Sequence, residues 1–368
     1  MAAAWLPDFP WDSLAAATER ARAHPEGIVD LSVGTPVDPV PEVVQAALRG
    51  AGNSPGYPLT AGTADLREAA ADWLHRRHHV SVDPAAVLPV IGTKEFIAWL
   101  PTLLRCGQGD VVAYPELAYP TYDVGARLAG ATPIAADGLV ALGPRRVALA
   151  WLNSPSNPTG RVLPPEHLRK VVGWARDRGT VVASDECYIE LGWEAEPVSV
   201  LHPDVCDGSH RGLLAVHSLS KRSNMAGYRA GFVTGDAALI AQLREVRKHA
   251  GMMVPGPVQA AMTAALRDDT HADEQRARYR ARRKALWPAL ALAGWTVEES
   301  AAGLYLWATN PELDGRASVR RFAEAGILVA PGDFYGPGGV RHIRVALTAT
   351  DERIAAAVGR LAGFHASA

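Results

Sequence analysis

The chain has 368 residues, enough for a large core and two subdomains. Hydrophobic residues make up 48% and charged residues 21%, and a formal net charge of -2 without a Lys/Arg block excludes a nucleic-acid footprint. Cys106, Cys187 and Cys206 lack the spacing of a zinc site or a disulfide framework, so no metal is expected and a reducing, cytoplasmic setting is.

From the N-terminus onward, Asp8, Asp12 and Glu19 stand where a secretory signal would be basic and then apolar, and no apolar run reaches membrane-spanning length. Ser32-Val-Gly34-Thr-Pro36 can lay backbone amides over a site, and the Pro/Gly-rich stretch 52–62 reads as an ordered loop. A buried strand is predicted over Val87–Ile91. Gly92-Thr93-Lys94-Glu95 then opens an amphipathic helix over 96–104, whose first amides can bind phosphate. The strand Val111–Tyr114 leads to Tyr119-Pro-Thr-Tyr122, where either tyrosine could stack on a flat ring or fill the core.

A strand over 147–152 runs into Asn153-Ser-Pro-Ser-Asn157-Pro-Thr-Gly160, a doubled Asn spacing more constrained than a turn needs. Its asparagine amide can donate to a ring hydroxyl. After the helix Pro165–Arg178, a strand over 180–184 delivers Asp185, and a buried acid there is costly without a cation. Asp185 either caps the next helix or pairs with a pyridinium N–H, and Tyr188 is within reach of that ring's oxygen. The strand 213–216 ends in Ser218-Leu-Ser220-Lys221, with Arg229 eight residues on. Lys221 offers an amine for a Schiff base, while Ser218, Ser220 and Arg229 offer hydroxyls and a planar cation for phosphate. Alone, this run also reads as a strand ending in a solvated basic loop.

With a further strand over 231–234, strand–helix alternation predicts a mostly parallel sheet covered on both faces. Past Pro255 the character changes. Residues 259–292 read as long helix interrupted near Asp268-Asp269, and strands over 303–309, 327–329 and 342–347 read as a smaller α+β unit closed by the helix Asp351–Ala362. Arg344 interrupts an apolar strand, either to grip a carboxylate through two hydrogen bonds or to form a structural ion pair.

Taken as a set and in this order, Asn-x-x-Asn-Pro-Thr-Gly, Asp-Glu-x-Tyr and Ser-x-Ser-Lys with Arg229 resemble the class I and II aminotransferases of pyridoxal-phosphate fold type I. The resemblance implies an α/β fold: a mostly parallel seven-stranded sheet sandwiched by helices, with a smaller α+β domain. The large domain would span 45–252, and the small one 1–44 with 253–368. It implies pyridoxal 5'-phosphate as cofactor and Lys221, Asp185 and Tyr188 as the catalytic set. Lys221 would bond the cofactor and shuttle a proton, Asp185 would pair with the ring nitrogen, and Asn157 and Tyr188 would contact the ring oxygen. Tyr119 would stack on the ring, with Tyr122 as the alternative. Thr93, Lys94, Ser218, Ser220 and Arg229 would hold the phosphate, joined by Tyr57 from a neighbouring subunit, which makes the expected assembly a homodimer with shared sites. Gly34, Asn157 and Arg344 would bind substrate. The chain departs from the family pattern in the extra residues of 115–119, and Arg222 has no assigned role.

More narrowly, the stretches 30–38, 89–95, 115–122, 247–255 and 330–339 resemble the bacterial N-succinyl-LL-2,6-diaminopimelate aminotransferases. That implies exchange between glutamate/2-oxoglutarate and an N-succinylated amino/keto acid in lysine and diaminopimelate biosynthesis. Alternatives on the same fold are an aspartate, aromatic or acetylornithine aminotransferase, or a C–S lyase. An aminotransferase-like sensor domain of a regulator is more remote, since about forty residues precede the sheet and carry no basic helix-turn-helix pattern. The basic cluster 75–79 reads as a solvated helix end, and Cys187 as a small buried hydrophobe.

Overall fold

In the computed structural model, which describes residues 6–364, seven strands form the main sheet. Their spatial order is Val87–Ile91, Ala230–Gly235, Leu213–Ser218, Val181–Asp185, Val147–Asn153, Val111–Tyr114, Thr132–Ala135. Only Ala230–Gly235 runs against its neighbours; the other pairs are parallel. The central strands are buried on both faces, which is why their sequences are apolar without alternation. Thr132–Ala135 was not legible beforehand. It is an edge strand, half exposed and carrying Pro133, a residue tolerated at an edge because it donates no ladder bond.

Side chains alternate across the sheet into two cores. One packs Leu213, Ala215 and Phe232 against the helices Ala64–His78, Pro165–Arg178 and Gly256–Arg267. The other packs Leu214, Val216 and Val233 against Thr93–Leu103, Thr121–Leu128 and Ala237–Ala250. Met262, Ala265 and Leu266 lie in the first of these cores, so the helix Gly256–Arg267 packs with the large unit, past the expected boundary at 252.

A third core belongs to the small unit. There Tyr305–Thr309 and His342–Ala346 pair antiparallel at the centre of a four-stranded sheet, covered by Thr270–Leu292, Gly315–Glu324 and Asp351–Ala362. The break near Asp268-Asp269 falls between the two helices, as expected. Val29–Asp30 pairs with Ile327–Leu328, which ties the N-terminal segment to this unit. Among the described residues no helix is long and apolar enough to cross a membrane.

Candidate active site

The strand directions collect the motifs. Because Ala230–Gly235 is reversed, its start lies at the same sheet edge as the ends of the other strands. Gly92, Asn153, Asp185, Ser218 and Arg229 therefore meet along one edge, where open α/β sheets place ligands. Above it is a cavity of about 460 Å³ between the two units. Its walls include Gly34, Thr93, Lys94, Tyr119, Asn157, Asp185, Tyr188, Ser218, Ser220, Lys221, Arg229 and Arg344, every expected site residue except Tyr57. Tyr57 is 96% exposed on the 52–62 loop and contributes nothing to its own chain's cavity.

Asp185 sits on the cavity floor, 5% exposed. Its Oδ2 accepts from Tyr122 Oη at 2.8 Å and its Oδ1 from the Cys187 amide at 3.2 Å. Burial raises its pKa, and those hydrogen bonds offset the rise only in part. No ion pair reaches Asp185 among the described residues. Beside it in register, Asn153 donates to the Asp185 carbonyl at 2.9 Å and accepts from the Asn157 amide at 2.7 Å. The first asparagine of the motif is thus scaffold, and the second faces the cavity.

The two tyrosines separate cleanly. Tyr122 is fully buried, stacked on Trp151 at 5.0 Å and bonded to Asp185, whereas Tyr119 forms part of the cavity wall. Tyr188 meets Tyr305 of the small unit, Oη to Oη at 3.2 Å. Cys187 donates to Thr93 Oγ1 at 3.4 Å, and burial pushes its thiol well above its ordinary pKa, so it stays neutral. It lines the cavity as well as packing.

Lys221 projects from the short helix Leu219–Arg222 and donates to the Gly34 carbonyl. Burial lowers its pKa to about 8, and the charges of Arg344 and Arg229 push the same way. Arg344 is 2% exposed and donates to Asn157 Oδ1 at 2.9 Å and the Ser32 carbonyl at 2.7 Å, while its Nε has no partner among the described residues. Its guanidinium lies 3.9 Å from the Tyr305 ring. It forms no ion pair among the described residues, which removes the structural ion-pair alternative and leaves a buried cation facing a cavity.

These features fit a flat cationic ring bearing a phosphate. Asp185 is a buried anion without a cation, and a ring N–H beside it would supply one. The amides that open Thr93–Leu103 meet Arg229 at the opposite end of the floor, and a Cβ on Gly92 would come within 2.4 Å of Arg229 Nη2. Gly34 likewise has no room for a side chain, since a Cβ there would lie 2.2 Å from Tyr305 Oη.

Arg222, unassigned from sequence, is a structural anchor. It is 6% exposed, pairs with Glu190, and donates to the Ala265 carbonyl at 2.9 Å. Arg77 joins Glu190 at 3.2 Å and Asp273 at 2.6 Å, and His78 packs edge-on against Trp73 at 4.6 Å. The basic end of the helix Ala64–His78 is therefore partly buried, contrary to the solvated end expected. His78, its pKa lowered by burial to about 4, is neutral. Arg222→Met strands Glu190 with one remaining arginine and should cost about 3 kcal/mol of folding free energy, measured by denaturant unfolding. A loss below about 0.5 kcal/mol would show that the anchor carries little.

Phe9, Trp11 and Tyr305 also line the cavity and were missed. Tyr305 lies in a strand read correctly, but its facing depends on the register with His342–Ala346. Phe9 caps, and Trp11 lies within, a five-residue 3-10 turn, too short for any period to show.

The family model for aminotransferase class I and II matches residues 26–361. A probable aminotransferase of Mycobacterium tuberculosis is 68% identical over 97% of this chain and 85% of its own length. A Streptomyces rimosus protein named 4-dedimethylamino-4-oxo-anhydrotetracycline transaminase is 60% identical over 97% of this chain and 99% of its own. Among solved structures, a probable N-succinyldiaminopimelate aminotransferase of Thermus thermophilus superposes with a TM-score of 0.88 at 30% identity, covering 97% of this chain and 100% of the other.

Proposed function

We propose that this chain, which belongs to the class I and II aminotransferases and so to a pyridoxal-phosphate-dependent family, moves amino groups between an amino acid and a 2-oxo acid through the cavity at the sheet edge. The convergence of Lys221, Asp185, Asn157 and Arg344 on that one cavity carries the reading. Bound pyridoxal phosphate supplies an electron-withdrawing ring that accepts negative charge as a bond at the substrate's Cα breaks.

The chain's residues divide the remaining work. Asp185 holds the proton on the ring nitrogen, where its negative charge favours the protonated ring. Asn157 and Tyr188 hydrogen-bond the ring oxygen, and Tyr119 covers a ring face. Thr93, Ser218, Ser220 and Arg229 hold the phosphate with the amides that open Thr93–Leu103, and Lys94 adds a nearby charge. Arg344, with Gly34 and Asn157, orients the substrate's α-carboxylate. Lys221 would take up the Cα proton and deliver it to the cofactor carbon two atoms further along, a transfer that requires its uncharged amine. Tyr57 completes the phosphate site of a second copy, which makes the working unit a homodimer. Its setting is the cytoplasm.

The low pKa of Lys221 has a kinetic consequence. Only the neutral amine captures pyridoxal phosphate, so capture by the cofactor-free chain should rise about tenfold per unit between pH 6 and 8 and flatten above about 8. Stopped-flow absorbance reads this directly. A rise continuing unchanged to pH 10 would place the amine at its ordinary pKa.

For the substrate, the reading is N-succinyl-LL-2,6-diaminopimelate with 2-oxoglutarate, in lysine and diaminopimelate biosynthesis. It is supported by the similarity to the Thermus thermophilus structure across the whole chain. The Streptomyces rimosus relative favours a second reading, an aminotransferase for a ring ketone. Half-reactions followed by absorbance separate them. Conversion of the loaded chain by L-glutamate and succinyl-diaminopimelate, far faster than by aspartate or N-acetylornithine, is expected on the first reading. Slow conversion by succinyl-diaminopimelate, with glutamate still active, would leave the aminotransferase and remove the pathway.

A further inference from the structure

Tyr305 belongs to the small unit, yet its hydroxyl reaches the floor of the large one. In the antiparallel pair of Tyr305–Thr309 with His342–Ala346, Trp307 stands opposite Arg344. Tyr305, two residues along, is therefore the diagonal neighbour of Arg344 on the same face. The Arg344 guanidinium lies 3.9 Å from the Tyr305 ring and 4.9 Å from that of Tyr335. A desolvated cation is attracted to such a ring face. At the far end of the ring, Tyr305 Oη lies 3.2 Å from Tyr188 Oη, and either can donate. It also closes over Gly34, whose carbonyl accepts from Lys221 and where a Cβ would come within 2.2 Å of it. Tyr305 is 4% exposed and Tyr188 8%.

A phenol has one proton to donate. With the Tyr188 proton directed at the cofactor's ring oxygen, the Tyr188 oxygen is left to accept, and Tyr305 is placed to donate to it. Hydrogen bonds in such a chain polarise one another, so the outer donor strengthens the inner one. The groups around the pair do not oppose that direction. Asp185 is engaged by Tyr122 and the Cys187 amide. Burial keeps the phenols of Tyr119, Tyr279 and Tyr335 and the Cys187 thiol neutral. It also holds the Tyr188 phenol well above its ordinary value, so that phenol remains a donor. We infer that Tyr305 is a positioning residue joining two halves of the site, its ring carrying the carboxylate-binding Arg344 and its hydroxyl directing the Tyr188 proton toward the ring oxygen. That role rests on the aminotransferase reading for the identity of the carboxylate and of the ring oxygen.

Absorbance of the pyridoxal-phosphate-loaded chain, followed against pH with and without glutarate, tests the role. Glutarate is a dicarboxylate with no amino group to transfer. A donor at the ring oxygen draws electron density from the ring and makes the Lys221 nitrogen bonded to it less basic. Tyr188→Phe should therefore raise the titration midpoint by about 1–2 units, the weight of a hydrogen bond to a charged group. Tyr305→Phe keeps the ring over Arg344 and loses the hydroxyl. It should raise the midpoint by about 0.3 unit and leave glutarate affinity within about twofold. In a Tyr188→Phe background it should add nothing, a dependence that general loosening of the fold would not produce. Tyr305→Leu should give the same midpoint shift and also weaken glutarate about fivefold through the lost ring contact. Tyr305→Phe removes a hydroxyl bonded only to Tyr188 among the described residues, so it should fold, and it decides alone if Tyr305→Leu does not. A midpoint unmoved in Tyr305→Phe, or moved equally in the Tyr188→Phe background, would overturn the role and leave the aminotransferase reading standing. Failure of the wild-type chain to show a cofactor band at all would reject that reading and the role with it.

Discussion

Lys221→Ala should fold, bind pyridoxal phosphate weakly, and lose transamination by about 10⁴-fold or more. On the proposed function the substitution removes both the amine that would hold the cofactor and the base that would move the Cα proton, and general acid–base work alone is worth up to about 10⁴. Folding should survive because the Lys221 amine makes one bond among the described residues, to the Gly34 carbonyl, while Arg222 and the Tyr279 hydroxyl, which donates to the Lys221 carbonyl at 3.2 Å, fix the backbone there. Steady-state turnover with L-glutamate, alongside circular dichroism, measures both. A residual rate within about tenfold of the wild type would mean that another group moves the proton.

Asp185→Asn should lower the half-reaction with L-glutamate by about 10³-fold with only modest change in the concentration for half-saturation. It keeps a side chain of the same shape against Tyr122 and Cys187 and removes the negative charge. A preorganised charge facing the group where charge develops is commonly worth about 10²–10³ in rate. Because burial already raises the Asp185 pKa, the neutral variant should not destabilise the cofactor-free chain. Rates close to wild type would show that the ring nitrogen needs no anion here, and loss of folding would make Asp185 a structural residue.

Much of the large unit was legible because its strands are short, apolar and bounded by polar chemistry. The strands Val87–Ile91 and Val111–Tyr114 fall at the expected residues, and the motif residues cluster where those strands end. What sequence could not give depends on distance and facing. Arg222 finds its partner Glu190 across a 32-residue separation, and its cover by Trp73 at 5.5 Å comes from another helix. Tyr119 and Tyr122 are three residues apart, yet only the turn preceding Thr121–Leu128 decides which faces the cavity. The helix Gly256–Arg267 has a composition like that of the small unit's helices, and only packing against the large sheet's core assigns it. The aromatic pair Phe9 and Trp11 carries no pattern and acquires meaning only beside Phe334.

Lys221 is proposed to hold the cofactor, and the cavity contains a second lysine, Lys94, with a lowered pKa that makes it a real competitor. Borohydride reduction of the pyridoxal-phosphate-loaded chain, followed by peptide mass mapping, separates the two. The reduced cofactor's mass is expected on the peptide containing Lys221, with none on the peptide containing Lys94. Label on Lys94, or on no lysine at all, would contradict it.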